Sequence, residues 1–314
     1  MRLVTSYVNP DLDGVASGII YATYLAEQRA VAAFAGSLNV ETTGVLTHLG
    51  IAGDLDADQP DAAVCNGIVL VDCHHPAQLP HITDRSDVVL IIDHHPDGDA
   101  AAFPNALVQN EAVGAAATLV AERVAAGRPG GGLSRLASSH AALLACAIAS
   151  NTLDFSAPST TDRDRQMFTA LTELAKPDTE LDTLLGYMRG WRQSFLTATT
   201  VEAVNQDVKI VEGQFGRVAV AQLEGDGASG LLARPDLRQA VEGLADLLAV
   251  RYVLLSLVDT AAGTTTLVTP NLPVRQALMT LAPELVDEIT LRLPFLALRK
   301  THVIPALNGS ASES

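Results

Sequence analysis

Carboxylates and imidazoles collect where short apolar runs end. Asp11 and Asp13 follow residues 3–7, Asp72 closes the run 68–71, and Asp93, His94 and His95 close the run 88–92. Two apolar strands that both terminate in aspartate are unusual, because a carboxylate beside a core is costly unless a metal ion or hydrogen bonds compensate it. Mixed carboxylate and imidazole donors suit divalent ions such as Mn²⁺, Mg²⁺ or Zn²⁺. The same residues would also serve as caps of helices and turns, and residue type alone leaves both readings open.

The elements that must position these groups alternate short β-branched runs with longer Ala-rich stretches, the pattern of an α/β fold with a parallel sheet. Sites in such sheets lie at the carboxyl ends of the strands. Residues 3–7 read as a strand and 15–27 as a helix with Val15, Ile19, Ala22 and Ala26 on one face. The runs 68–71 and 88–92 have the length of buried strands. Residues 116–126 and 140–149 read as helices separated by Gly127-Arg-Pro-Gly-Gly-Gly132, a turn without a phosphate-binding lysine. A second unit starts after Gly190. Its strands are 217–223 and 251–258, around a helix over 236–249 that Pro235 introduces, and 264–269 returns as a hairpin after Gly263. The predicted division is a domain over 1–190, a smaller one over 195–308, and a frayed tail over 309–314.

The chain has 314 residues, enough for two domains with ordinary cores. Its 36 acidic against 20 basic residues give a formal charge of −16, which argues against nucleic acid or an anionic membrane as a general partner. An anionic substrate would need a local basic cluster. Three cysteines, Cys65, Cys73 and Cys146, are too few for a disulfide framework, and a reducing cytoplasm fits best. Asp11 and Asp13 interrupt the N-terminus before a signal peptide or membrane anchor could develop.

Asn9-Pro-Asp-Leu-Asp-Gly14, Asp72, Asp93-His-His95 and Glu111-Ala-Val-Gly-Ala-Ala-Ala-Thr118 together resemble the DHH phosphoesterases. Arg299-Lys-Thr-His-Val-Ile-Pro305 is similar to the Ser-Arg-Lys-Lys-Gln-Val-Val-Pro stretch of the manganese-dependent family II inorganic pyrophosphatases. The nuclease branch of that superfamily carries a late Gly-Gly-Gly-His motif, which this chain lacks, so the pyrophosphatase and exopolyphosphatase branch is favoured. The resemblance implies an N-terminal parallel-sheet DHH domain, a smaller C-terminal α/β domain and an active site in the cleft between them. It implies hydrolysis of a phosphoanhydride, pyrophosphate or short polyphosphate, with two divalent ions, Mn²⁺ or Mg²⁺, and a homodimer. The alternatives are a phosphodiesterase acting on nucleotides, or a phosphate-binding regulatory protein with weakened turnover.

Carried over position by position, Asp11 and Asp72 resemble ligands of one ion, and Asp13, Asp72 and His94 ligands of a second, with Asp72 bridging. His95 would contact the phosphate or protonate the leaving group, and Asp93 would accept an imidazole N–H and fix its tautomer. Arg299 and Lys300 match the phosphate-binding pair, and Lys209 matches a further phosphate-binding lysine. Tyr7 stands where the family has a ligating histidine, and Asn151 where it has a ligating aspartate. Asn151 would then ligate through its carbonyl oxygen with one negative charge fewer, and losing the imidazole shifts preference toward Mg²⁺. Asp154 would either compensate for Asn151 or cap a surface helix. Thr301 and His302 replace a lysine and a glutamine, which implies a weaker clamp. His74 and His75 read as loop or supporting residues, Cys73 lacks a paired base, Trp191 reads as packing at the domain boundary, and His48, His81 and His140 belong to no motif.

Overall fold

The two apolar runs that end in aspartate lie side by side in one sheet. The computed structural model describes residues 1–25, 29–51, 65–80, 84–96, 98–127, 132–176 and 179–309. The chain divides into two units, Met1–Met188 and Arg189–Ser314. Ala26 and Glu27 of the expected first helix, His81, the glycine run over 128–131 and the tail over 310–314 lie outside the described residues.

The first unit holds β1 (Arg2–Thr5), α1 (Leu12–Ile20), β2 (Ala30–Ala32), α2 (Val40–His48), β3 (Ile68–Val71), β4 (Val88–Asp93), β5 (Leu107–Asn110), α3 (Ala116–Ala125), α4 (Ser138–Asn151), α5 (Asp162–Ala175) and α6 (Leu181–Arg192), the last crossing into the second unit. The strand order is β2-β1-β3-β4-β5, and every pairing is parallel. All four residues of β3 are buried, as are five of the six in β4, which is why both read as unbroken apolar runs. From β1 the chain passes to β2 on one side, and later returns through β3 on the other. That reversal opens a crevice beyond the carboxyl ends of β1 and β3.

Local chemistry moves two expected boundaries. The first strand stops at Thr5, and α1 begins at Leu12 rather than at residue 15, because the Asp11 side chain accepts from the N–H groups of Asp13 and Gly14 as N-cap. After Ile20 the helix widens into a π-helical turn, Tyr21–Leu25. Residues 141–149 of α4 are buried without interruption, so this Ala-rich helix runs through the interior and shows no polar face.

The second unit holds α7 (Thr200–Val204), β6 (Val208–Gly213), β7 (Gly216–Glu224), α8 (Leu237–Leu247), β8 (Tyr252–Asp259), β9 (Thr264–Val268), α9 (Leu272–Leu278), β10 (Glu284–Leu285), β11 (Thr290–Leu293) and α10 (Ile304–Leu307). Its sheet has the order β10-β11-β9-β8-β7-β6, with β7 and β8 parallel and the other neighbours antiparallel. On β8, Val253, Leu255 and Leu257 join one core and Leu254 the other, so the strand's alternation serves both faces. Helix α8 is shorter than the expected 236–249. Asp236 is its N-cap position, and Ala249 lies beyond its end at φ 49°. Among the described residues no helix is long and apolar enough to cross a membrane.

Candidate metal centre

Strand ends and one helix start bring the chemistry together in the first unit. Asp72 follows β3 immediately and takes φ 55°, a left-handed conformation that aspartate tolerates better than most residues. Its buried carboxylate places Oδ1 3.2 Å from His94 Nε2 and 3.7 Å from His95 Nδ1. Asp72, Asp93, His94 and His95 each offer a ligand atom, and these atoms lie within 4.8 Å of one another.

His94 has a fixed orientation. Its Nδ1 donates to the Val113 carbonyl at 2.8 Å, an oxygen that can only accept, so the neutral ring carries its lone pair on Nε2. That lone pair faces Asp72 Oδ1, and only a proton or a cation between them reconciles two such acceptors at 3.2 Å. The donor set of buried carboxylate and imidazole therefore fits a divalent metal ion.

Asp93 supports the imidazoles. Oδ1 accepts from the backbone N–H groups of His94 at 2.7 Å and His95 at 3.2 Å and from His95 Nδ1 at 2.5 Å, while Oδ2 accepts from His74 Nδ1. Burial by itself would raise this carboxyl, but the charge on His95 and the hydrogen bonds from His74 and His95 hold it well below the usual carboxylate range. His74, expected in a loop or a supporting role, is buried under the centre. Asn110 adds a support that no sequence motif marks, donating to the His95 carbonyl at 2.8 Å.

Asp13 is buried on α1 and reaches the start of α3, where Ala115 gives no side-chain cap. Its oxygens accept from Ala116 N and Ala117 N, both at 2.8 Å, so a carboxylate from another helix caps the positive end of α3. Asp13 Oδ2 remains 3.7 Å from His94 Nε2. Asp11 is occupied as the cap of α1, and its own N–H donates to Tyr7 Oη at 3.1 Å. Burial first, then the charges of Asp11 and Asp72, push the Tyr7 hydroxyl well above its ordinary value, and a neutral phenol is a poor metal ligand.

Two residues make contacts that differ from the roles the resemblance implies. The carbonyl oxygen of Asn151 does not face the centre: Nδ2 donates to the Gly114 carbonyl at 2.9 Å and to Asp13 Oδ2 at 3.1 Å, and lies 3.3 Å from His94 Nε2. Gly114 fixes this orientation, since its carbonyl only accepts. Arg299 is paired within the chain. Buried in the second unit, its Nη2 donates to the Asp207 carboxylate, 2.8 and 2.9 Å from the two oxygens, and its Nη1 donates to the carbonyls of Val220 and Asp207. Lys300 is half-buried in the π-helical turn Arg299–Val303, and Lys209 lies on β6 opposite Val220. Asp154 is exposed, in a turn where Leu153, Asp154 and Phe155 all have positive φ. His48 and His140 sit against the rings of Tyr187 and Tyr24.

Fold and site together define an α/β protein with a carboxylate and histidine metal centre at the switch point of a parallel sheet. Residues 2–148 match the DHH family, N-terminal domain. A manganese-dependent inorganic pyrophosphatase of Methanocaldococcus jannaschii is 30% identical over 234 residues, 71% of this chain and 71% of that protein. The chain belongs to the DHH family, among the manganese-dependent inorganic pyrophosphatases. A probable enzyme of that name from Deinococcus radiodurans is 32% identical over 56% of this chain and 54% of its own length. The crystal structure of a Methanococcus jannaschii protein described as a family II inorganic pyrophosphatase superposes with a TM-score of 0.82 at 25% identity, covering 99% of both chains. An exopolyphosphatase-related protein from Bacteroides fragilis shares the fold, with a TM-score of 0.53 at 14% identity over 98% of this chain and 91% of that one.

Proposed function

We propose that this chain hydrolyses inorganic pyrophosphate, with Mn²⁺ or Mg²⁺ as cofactor. The observation that carries the reading is His94, tied through Nδ1 to Val113 and facing Asp72 Oδ1 with Nε2. The names of the similar proteins supply the substrate. Asp72 and His94 would hold the cation, with Asp11 and Asp13 as the further ligands their motif implies. When bound, such an ion polarises phosphoryl oxygens and lowers the pKa of water.

The chain's own residues do the rest. Asp93 holds His95 by Nδ1, which leaves Nε2 to give a proton to the bridging oxygen as the P–O bond to the leaving phosphate breaks. Lys209 and Lys300 would supply positive charge to the phosphate, as the motif implies, and Arg299, paired with Asp207, would support the turn that holds Lys300. A cytoplasmic location and a homodimer belong to the same reading, and the formal charge of −16 disfavours nucleic acid as a partner.

The test is phosphate release from pyrophosphate, tripolyphosphate and a dinucleotide, each with Mn²⁺, with Mg²⁺ and after chelation. The expected result is release from pyrophosphate that chelation abolishes and added Mn²⁺ restores. Turnover of the dinucleotide alone would overturn the substrate, and metal binding without any turnover would turn the reading toward a binding protein.

A further inference from the structure

One peptide unit joins the centre to a buried carboxylate that lies outside the metal-binding motifs. The Val113 carbonyl accepts from His94 Nδ1 at 2.8 Å, and the N–H of the same peptide, that of Gly114, donates to Asp164 Oδ2 at 2.8 Å. The path from carboxylate to imidazole is two hydrogen bonds with one planar group between them. Because a peptide is planar, fixing its N–H also fixes the direction of its carbonyl. Bonds in such a chain polarise one another, and a stronger acceptor at Nδ1 raises the basicity of Nε2 toward a metal.

Capping alone does not account for Asp164. It closes the capping box of α5, where Oδ2 accepts from Thr161 N and Thr161 Oγ1, both at 2.7 Å. In α7 the same box is built from Thr199 and an exposed Glu202, so the motif requires no burial. Asp164 is fully buried, and its other bonds leave α5. Besides Gly114 N at Oδ2, Thr118 Oγ1 donates to Oδ1 at 2.6 Å, so one carboxylate holds residues on both sides of the start of α3. A Cβ at residue 114 would lie 2.9 Å from Asp164 Oδ2 and 2.6 Å from Thr152 Cγ2. Glycine is what lets this carboxylate reach the backbone beside Val113.

We propose that Asp164 is a positioning residue of the metal centre: acting through the Val113–Gly114 peptide, it sets the orientation of His94 and keeps the Nε2 lone pair toward Asp72. The proposal rests on the reading of His94 as a metal ligand.

Two measurements on the purified full chain test it without reference to turnover: Mn²⁺ affinity from the paramagnetic resonance signal of the free ion, and the proton–nitrogen correlation spectrum of the histidine side chains in the metal-free protein. Asp164→Ala should weaken Mn²⁺ binding about tenfold or more and displace or broaden the His94 Nδ1–H resonance. Asp164→Asn keeps an acceptor oxygen for Gly114 N–H and turns its NH₂ to the Thr118 hydroxyl, which can accept, so affinity should return to within about threefold of the natural value. Thr161→Ala breaks the cap and spares the bond to Gly114. It should lower the melting temperature and leave both the affinity and the His94 resonance in place. Natural affinity in Asp164→Ala, or losses of affinity that follow the melting temperature across the three variants, would overturn the proposal and leave the metal reading standing. Should Asp164→Ala fail to fold, the natural protein decides alone, since a His94 proton found on Nε2 in place of Nδ1 would overturn the proposal. No Mn²⁺ binding by the natural protein would remove the metal reading and the proposal with it.

Discussion

Gly98 stands so close to His74 that a Cβ built on it would lie 1.8 Å from His74 Nε2. The backbones are tied as well, since Asp99 N donates to the His74 carbonyl at 3.1 Å. Gly98→Ala must therefore push the imidazole away from Asp93. Activity should fall about 10- to 100-fold, the usual effect of losing a group that orients a metal site, for a stability loss of about 1 to 3 kcal/mol from overpacking. Kinetics beside a thermal melt separate the two effects, and unchanged kcat would show that Asp93 does not need His74.

Asp93→Asn replaces two accepting oxygens by one oxygen and an NH₂ group, although His74 and His95 both present N–H to this side chain. The expected result is a folded protein by circular dichroism with kcat reduced about 100-fold. Wild-type turnover would place His95 outside the proton transfer proposed for it.

Glu224 gives a pH dependence of known sign. Burial raises its carboxyl and the charge of Asp207 raises it further, against the opposing effects of Arg299, Arg192 and a hydrogen bond from Gln222. The folded state thus binds this proton more tightly than the unfolded chain does. The stabilisation is fully present below the ordinary glutamate value and is lost as pH rises through the elevated one. Glu224→Gln should therefore flatten the fall in stability across that window and raise the urea midpoint more at pH 7.5 than at pH 4. An equal shift at both pH values would show that the carboxyl is not perturbed.

Arg299 and Lys300 should separate under mutation. Arg299→Ala removes a buried guanidinium paired with Asp207 and should cost about 1.5 to 3 kcal/mol of stability, discounted toward the lower figure because Asp207 keeps 42% of its side-chain exposure. Lys300→Ala should leave the melt unchanged and raise KM for pyrophosphate about tenfold. If the melts of the two variants are alike and only KM changes, Arg299 is a phosphate ligand after all.

The residues of the centre were legible because apolar runs ending in Asp72 and Asp93 mark adjacent buried strands, and the pairing of β3 with β4 follows from that. β2 and β5 escaped the same reading for a physical reason. The first is three residues of Ala-Val-Ala, too short and too Ala-rich to mark a strand, and the second begins at the exposed Leu107 and ends in the polar Gln109 and Asn110. The Asn151 orientation was hidden because the atom that decides it, the Gly114 carbonyl, lies 37 residues away. Arg299 and Asp207 are 92 residues apart, and a phosphate-binding motif and a buried ion pair look the same in one dimension. His74 was legible as support only, since nothing near it announces Asp93 as its partner.

The bonds from Asp13 to Ala116 and Ala117 join residues 103 and 104 positions apart, which has a consequence for biosynthesis. A nascent chain that has released only its first hundred residues already contains Asp11, Asp72 and His94, yet it has no α3 for Asp13 to cap. Closing a loop of that length carries an entropic cost of about 4 kcal/mol, and the contact forms late by the general relation between sequence separation and folding rate. Until then Asp13 is a solvated carboxylate on the ribosome-bound chain, open to whichever divalent ion is most abundant. The helix start claims that carboxylate only after α3 has emerged.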